Sequence, residues 1–218
     1  MASNPRLDDL PRTIHLLMVN RFILLPETTL PLVLTDERYI ELTEALAAAD
    51  GYLGFILSGE ANGSRRFQEV GCLARINELE RDGDGLNVLF EGVIRFRVLR
   101  ELPAAGKEDL PRAEVDYQEF ATDLGNRQED LEGWNLERIK AALIQIGKKQ
   151  TPGDLSYLEA MPPRQSIRLM AQTMPFALAE KQALLEAPTF RAMLELLFAL
   201  LAVNFLTTTP DGPQPQVN

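Results

Sequence analysis

Ser58 sits in Leu57-Ser58-Gly59, but a serine nucleophile on a strand-to-helix elbow needs glycine two positions earlier, where this chain has Ile56. Ser58 is therefore read as a loop hydroxyl. The nearest approach to a phosphate-cradling loop, Ala105-Gly106-Lys107, lacks the first glycine and the hydroxyl that would hold magnesium. His15 is the only histidine and Cys72 the only cysteine, so the two cannot supply the usual ligand set of a zinc site, nor can one thiol form an internal disulfide. His15, in an apolar run, reads as a packed or edge-strand residue, and Cys72 as a small core side chain. Asp82 and Asp84 begin like a calcium loop whose later ligands are missing, so Asp82-Gly83-Asp84-Gly85 reads as a turn. Asn62-Gly63-Ser64 matches a glycosylation sequon and, without an export signal, also reads as a turn. No catalytic, cofactor-binding or metal-ligating residue can be named, and the expectation is a protein that is not an enzyme.

The chain has 218 residues, 45% hydrophobic and 25% charged, which suits one large or two small globular domains. A formal charge of −10 opposes binding to nucleic acid and to anionic lipid, because both need clustered Lys and Arg. The start lacks the basic and apolar regions of a signal peptide, and the apolar stretch from Ala192 to Leu206 is too short to span a bilayer and contains Glu195 and Asn204. With its single cysteine, the chain is expected in the cytoplasm.

Any function must then rest on surfaces that the secondary structure builds. Short apolar runs broken by Pro26 and Pro31 between Ile14 and Leu34 suit strands. Asp36 opens a helix with Tyr39, Ile40, Thr43 and Leu46 at helical spacing, stopped near Asp50 and Gly51 and followed by a strand over 52–57. Leu86, Val88, Phe90, Ile94, Phe96 and Val98 alternate with polar residues, the period of a half-buried strand. Gly92 in that apolar register predicts a bulge or a close backbone approach, and residues 70–80 should form the other arm of a hairpin. A closing strand is expected over 113–120. Beyond residue 121 the spacing becomes helical: Leu131, Trp134, Ile139, Leu143 and Ile146 share one face, and Phe190 to Leu201 carry a wide apolar stripe. The expected organisation is a flexible tail over 1–12, a β-rich domain over 13–120, a helical bundle over 121–206 and a second tail over 207–218, with the polar run Asp123 to Glu132 at the junction.

Several of these segments resemble the amino-terminal domain of Lon proteases. Leu24-Leu25-Pro26, Leu30-Pro31-Leu32 and Asp36-Glu37-Arg38-Tyr39 look like its opening. Glu69-Val70-Gly71-Cys72-Leu73-Ala74-Arg75-Ile76 and the later Phe90-Glu91-Gly92-Val93-Ile94-Arg95-Phe96-Arg97-Val98 resemble two of its strands, and Ala113-Glu114-Val115 its closing strand. Lys181-Gln182-Ala183-Leu184-Leu185-Glu186 is similar to a segment of its helical half, so the likeness covers nearly the whole chain. Two departures stand out: Glu27 follows Pro26 where the family commonly has glycine, and Cys72 replaces a frequent threonine.

The resemblance implies an α+β fold, a curved and mostly antiparallel β domain similar to PUA-like folds followed by a helical bundle. It also implies the family's activity, capture of unfolded or apolar polypeptide segments, without the ATPase and Ser-Lys peptidase modules of the full proteases. Trp134, Met170, Met174 and Phe176 are the candidate peptide-binding residues, each with a core-packing reading beside it. A protease or a second copy of the chain is a further candidate partner. The alternative reading is a regulatory or assembly protein that binds a folded partner or itself through the helical half.

Overall fold

The computed structural model describes residues 5–49, 51–61, 65–103, 110–125, 131–150 and 155–206. The Asn62-Gly63-Ser64 and Ala105-Gly106-Lys107 runs lie outside them, as does the tail over 207–218. Within the other expected tail, Leu7–Asp9 form a 3-10 turn and Leu10 is buried.

In chain order the elements are β1 (Thr13–Val19), β2 (Thr29–Leu34), α1 (Glu37–Ala47), β3 (Tyr52–Ala61), β4 (Arg65–Phe67), β5 (Val70–Asp82), β6 (Gly85–Leu102) and β7 (Arg112–Asp116). A 3-10 segment, Gln118–Leu124, leads to α2 (Leu136–Gln150), α3 (Tyr157–Ala160), α4 (Pro163–Thr173), α5 (Leu178–Glu186) and α6 (Phe190–Leu201). The expected strand over 113–120 is shorter, because Phe120 turns into the 3-10 segment and is buried there. Leu131 and Trp134 precede α2 rather than sharing its face. Ser58 lies on β3 rather than in a loop, and its hydroxyl donates to the Val19 carbonyl at 3.0 Å.

The sheet runs β1-β7-β6-β5-β3 and closes on itself through a parallel pairing of β1 with β3, its other strand pairings being antiparallel. Closure leaves the ring strands no free lateral edge over their paired length. The alternation along β6 is realised: Leu86, Val88, Phe90, Ile94, Phe96 and Val98 are all buried. The β5–β6 hairpin turns through Gly83, at φ 59°, and Asp84. Gly92 has the role its position predicts, since a Cβ there would lie 2.2 Å from the Leu25 carbonyl oxygen. The crossing chain bonds to it twice, Glu27 N–H donating to the Gly92 carbonyl at 2.8 Å and Gly92 N–H to the Thr28 carbonyl at 2.8 Å.

β6 is longer than the ring needs. Its second half pairs with β7, while its first half, Leu86 to Glu91, pairs with β2, and the far end of β5 continues along its other side. The three strands thus form a wing beyond the ring. On the wing's inner face Arg81 clasps Glu44 of α1 at 2.7 Å.

The helices cover the face of β6 that carries Arg95. Alternation sets Arg95 among the solvent-facing polar positions, yet it is 7% exposed. Its guanidinium grips Asp123 through Nε and Nη2, both at 2.8 Å, donates to the Leu185 and Ala187 carbonyls and lies over the Phe120 ring. Asp123, read as part of an exposed junction, is buried with it. Further along the joint, the Gln172 amide oxygen accepts from Leu25 N–H at 3.0 Å and the Thr28 hydroxyl at 2.7 Å, and Gln182 donates to the Val70 carbonyl at 3.1 Å. Apolar side chains from both halves form one continuous core.

Candidate functional site

Three of the four candidate binding residues are interior. Met170 and Met174, at the end of α4, and Phe176, just after it, are buried in the helical core. The Met170 methyl packs on α2, where a Cβ at Gly147 would lie 2.5 Å from it. None of the three can meet a client unless the helices part. Trp134 is half-buried against the exposed Phe198, ring centroids 5.9 Å apart. The four therefore do not form one surface.

The wing provides one. Directly opposed residues on neighbouring strands put their side chains on the same face. The register therefore sets Pro31 beside Leu89 and Leu89 beside Glu78 in one row, and Val33, Asn87 and Glu80 in the next. These rows lie on the outer face, away from Arg81 and α1. They line a groove of about 600 Å³, whose floor is completed by Leu32, Val88 and Leu79. Val33 is 59% and Leu79 40% exposed, high values for aliphatic side chains in a sheet. Pro31 is tolerated because, among the described residues, β2 pairs with β6 alone and its other side is an edge.

A bulge decides which residues face the groove. Ile76 opposes Phe90, but the next paired residue of β5 is Glu78, opposite Leu89, so Asn77 is the extra residue. Strict alternation from Arg75 would have turned Leu79 and Arg81 outward; the insertion turns Glu78 and Glu80 outward instead. At the inner end of the groove Glu91 accepts from Arg75 at 2.6 Å and from the Asn77 amide at 3.1 Å. The groove is consequently apolar along β2 and β6 and acidic along β5.

Groups capable of bond chemistry lie elsewhere. Burial pushes the Cys72 thiol well above its ordinary range, which keeps it protonated and unreactive. Burial also lowers the Lys181 ammonium, whose Nζ donates to the Gln172 carbonyl at 3.0 Å inside the joint. Among the described residues no group of His, Cys, Asp and Glu could hold a metal ion, and no helix is long and apolar enough to cross a membrane.

A family model described as the ATP-dependent protease La (LON) substrate-binding domain matches residues 13–203. Lon protease 2 of Myxococcus xanthus is 25% identical over 200 residues, covering 89% of this chain and 24% of that protein. Lon protease of Escherichia coli strain K12 is 28% identical over 194 residues, 86% of this chain and 24% of that protein. The chain thus spans about a quarter of the length of these curated relatives. Among solved structures, a Lon N-terminal domain protein from Xanthomonas campestris superposes with a TM-score of 0.61 at 19% identity, over 86% of this chain and 97% of that one. The N-terminal domain of the Mycobacterium avium complex Lon protease gives 0.59 at 19% identity, over 88% and 100%. These likenesses show the α+β fold that the resemblance implies.

Proposed function

We propose that this chain, which belongs to the LON substrate-binding domain family, is a non-catalytic module that binds unfolded or apolar polypeptide segments in the groove on the outer face of β2, β6 and β5. The observation that carries the reading is the wing itself. It extends beyond the closed ring and exposes Val33 beside a cleft of about 600 Å³, a size that receives a few side chains of an extended peptide. Burial of apolar side chains supplies the attraction, and the exposed edge of β2 offers backbone groups to an incoming strand. The same surface carries carboxylates and no phosphate-binding cluster, so RNA is the disfavoured ligand. In this reading the module works in the cytoplasm and presents clients to a protease or protects them.

Fluorescence anisotropy with a labelled, reduced and alkylated client, its folded form and a labelled RNA tests the proposal. The unfolded client should bind with a dissociation constant on the order of micromolar and little salt dependence, whereas phosphate-driven binding would weaken steeply with salt. Leu89→Asp, which puts a charge in the middle of the groove, should reduce binding at least tenfold. Equal affinity for the folded client, tighter binding of RNA, or an unaffected Leu89→Asp variant would remove the reading. The Trp134–Phe198 pair is the observation that favours assembly through the helical half; a concentration-dependent dimer abolished by Phe198→Asp would promote that second reading.

A further inference from the structure

We propose that the groove selects among apolar segments for those flanked by Lys or Arg, with Glu78 and Glu80 as the residues that set this preference. The inference rests on the groove being the binding site. It adds a sequence class to the ligand.

Several carboxylates on and beside this sheet already have a guanidinium partner. Glu91 is engaged by Arg75 at 2.6 Å, Glu114 by Arg100 at 2.6 Å, Glu119 by Arg97 at 2.8 Å and Glu44 by Arg81 at 2.7 Å. Glu78 and Glu80 have no ion pair or hydrogen bond among the described residues, although both are exposed and stand on the same strand as Arg75 and Arg81. Those arginines cannot turn to them cheaply. Arg75 is held by Glu91, and Arg81 lies on the opposite face, bound to Glu44 and Glu37. The Asn77 bulge thus delivers two unneutralised carboxylates, one strand repeat apart, to the long side of an apolar cleft.

Residues two apart on a strand are spaced about 6.6 Å along it. An extended segment with its apolar side chains over Leu89, Val33 and Pro31 can place flanking Lys or Arg side chains beside both glutamates. Their long stems would lie against Leu89, which shares the outer face with Glu78, and their charged ends would stay hydrated. A segment flanked by Asp or Glu meets like charge instead, reinforced by the chain's net −10. The expected preference is modest, because each exposed pair is worth about 0.2–1 kcal/mol, and two such pairs give roughly a two- to thirtyfold change in affinity.

The test uses the whole chain and three fluorescein-labelled peptides with the same three-residue apolar centre, bracketed by one lysine, one glutamine or one glutamate on each side, so that both flanking groups fall within side-chain reach of Glu78 and Glu80. Fluorescence polarisation at low salt should rank them lysine, glutamine, glutamate from tightest to weakest. In the Glu78→Gln, Glu80→Gln double variant the three affinities should converge on that of the glutamine-flanked peptide, whose own affinity is unchanged. Salt near 1 M should produce the same convergence in the unaltered protein, because the Debye length falls to about 3 Å. If the glutamine-flanked peptide binds and is lost in Leu89→Asp, but the lysine advantage is absent or survives the double variant, the charge preference is overturned while the groove stands. If no peptide responds to Leu89→Asp, both are overturned.

Discussion

Asp123→Ala tests the joint between the two halves most directly. The carboxylate accepts three bonds from one residue: Arg95 Nε and Nη2 at 2.8 Å and the Arg95 backbone N–H at 3.1 Å. Both side chains are almost wholly buried, at 8% and 4% exposure. Removing the carboxylate therefore does more than delete bonds that water could replace. It strands a guanidinium whose remaining partners are the neutral Leu185 and Ala187 carbonyls and the Phe120 ring. Breaking a buried pair from one side costs about 3–5 kcal/mol, which for a chain of this size lowers Tm by roughly 6–20 °C. Replacing both members, as Arg95→Met with Asp123→Leu, removes the stranded charge and should recover more than half of that loss, because apolar groups of similar volume substitute well for a buried pair. Urea denaturation followed by circular dichroism gives the stabilities of the wild type, both single variants and the double variant, and the cycle gives the coupling. An Asp123→Ala penalty under about 1 kcal/mol, or a double variant as unstable as the sum of its singles, would refute the claim that a desolvated charge pair locks the helices to β6.

Gly92→Ala should cost far more than Gly83→Ala: the first drives a Cβ to 2.2 Å from backbone oxygen, whereas the second meets open space and carries only a positive-φ penalty of about 1 kcal/mol. Equal Tm losses would deny the close crossing at Gly92. Phe96→Ala should destabilise by about 3–5 kcal/mol, since the ring is fully buried and packs where Gly54 and Gly71 leave room for it; an unchanged melting temperature would mean the β6 faces are reversed. Tyr117 has its phenol raised by burial and donates to the Pro11 carbonyl at 2.7 Å. The unfolded phenol ionises near pH 10 while the folded one stays protonated, so its stabilisation is complete below that pH and is lost as pH rises toward the folded value. Tyr117→Phe should accordingly flatten the alkaline limb of the stability curve, and an unaltered limb would exclude the linkage. We propose that the polar run Asp123 to Glu132 holds the boundary between the two halves; Glu-C digestion should nick the chain within it and leave fragments that co-elute in native size exclusion, because the Arg95–Asp123 joint is buried, whereas prompt separation would contradict it.

The fold was legible where one periodicity governed a long segment. The alternation along β6, the Asp82 to Gly85 turn and the N-cap at Asp36, whose carboxylate accepts from Arg38 N–H at 3.1 Å, all stand where their residues predict them. The same rule does not by itself place Arg95. Alternation sorts residues into two faces, and it assumes that the polar face meets water; here the helices cover that face, which only the tertiary arrangement reveals. Glu27 shows the reverse case. A glycine-favouring position was visible in the resemblance, and the backbone there does adopt a positive φ of 62°. Glutamate accepts that strain while its carboxylate pairs with Arg168, which lies buried against Phe190. A side-chain interaction thus stands beside a conformation that glycine would enter without strain.

The candidate site was less legible, for reasons that particular residues make plain. Residues chosen for adaptable or aromatic side chains, Met170, Met174 and Phe176, belong to the core because core and binding surface draw on the same chemistry. The groove residues carried no such signal: Leu89 and Val33 read as ordinary strand positions, and a one-residue bulge at Asn77 is invisible to period-two reasoning yet decides that Glu78 and Glu80 face outward. The motifs that carry the family likeness divide unevenly between these surfaces. Lys181 and Gln182 are spent inside the joint, bonded to the Gln172 and Val70 carbonyls, and Arg95 locks the helices to the sheet. Of the signature segments, Leu30-Pro31-Leu32 enters the groove, contributing Pro31 and Leu32, whereas Val33, Glu78, Leu79 and Glu80 lie outside the signature segments. In this chain the joint draws on the segments that carry the likeness, while most of the groove lining does not. On the proposed reading, the charge pattern of this groove, rather than the likeness itself, therefore sets which segments are selected.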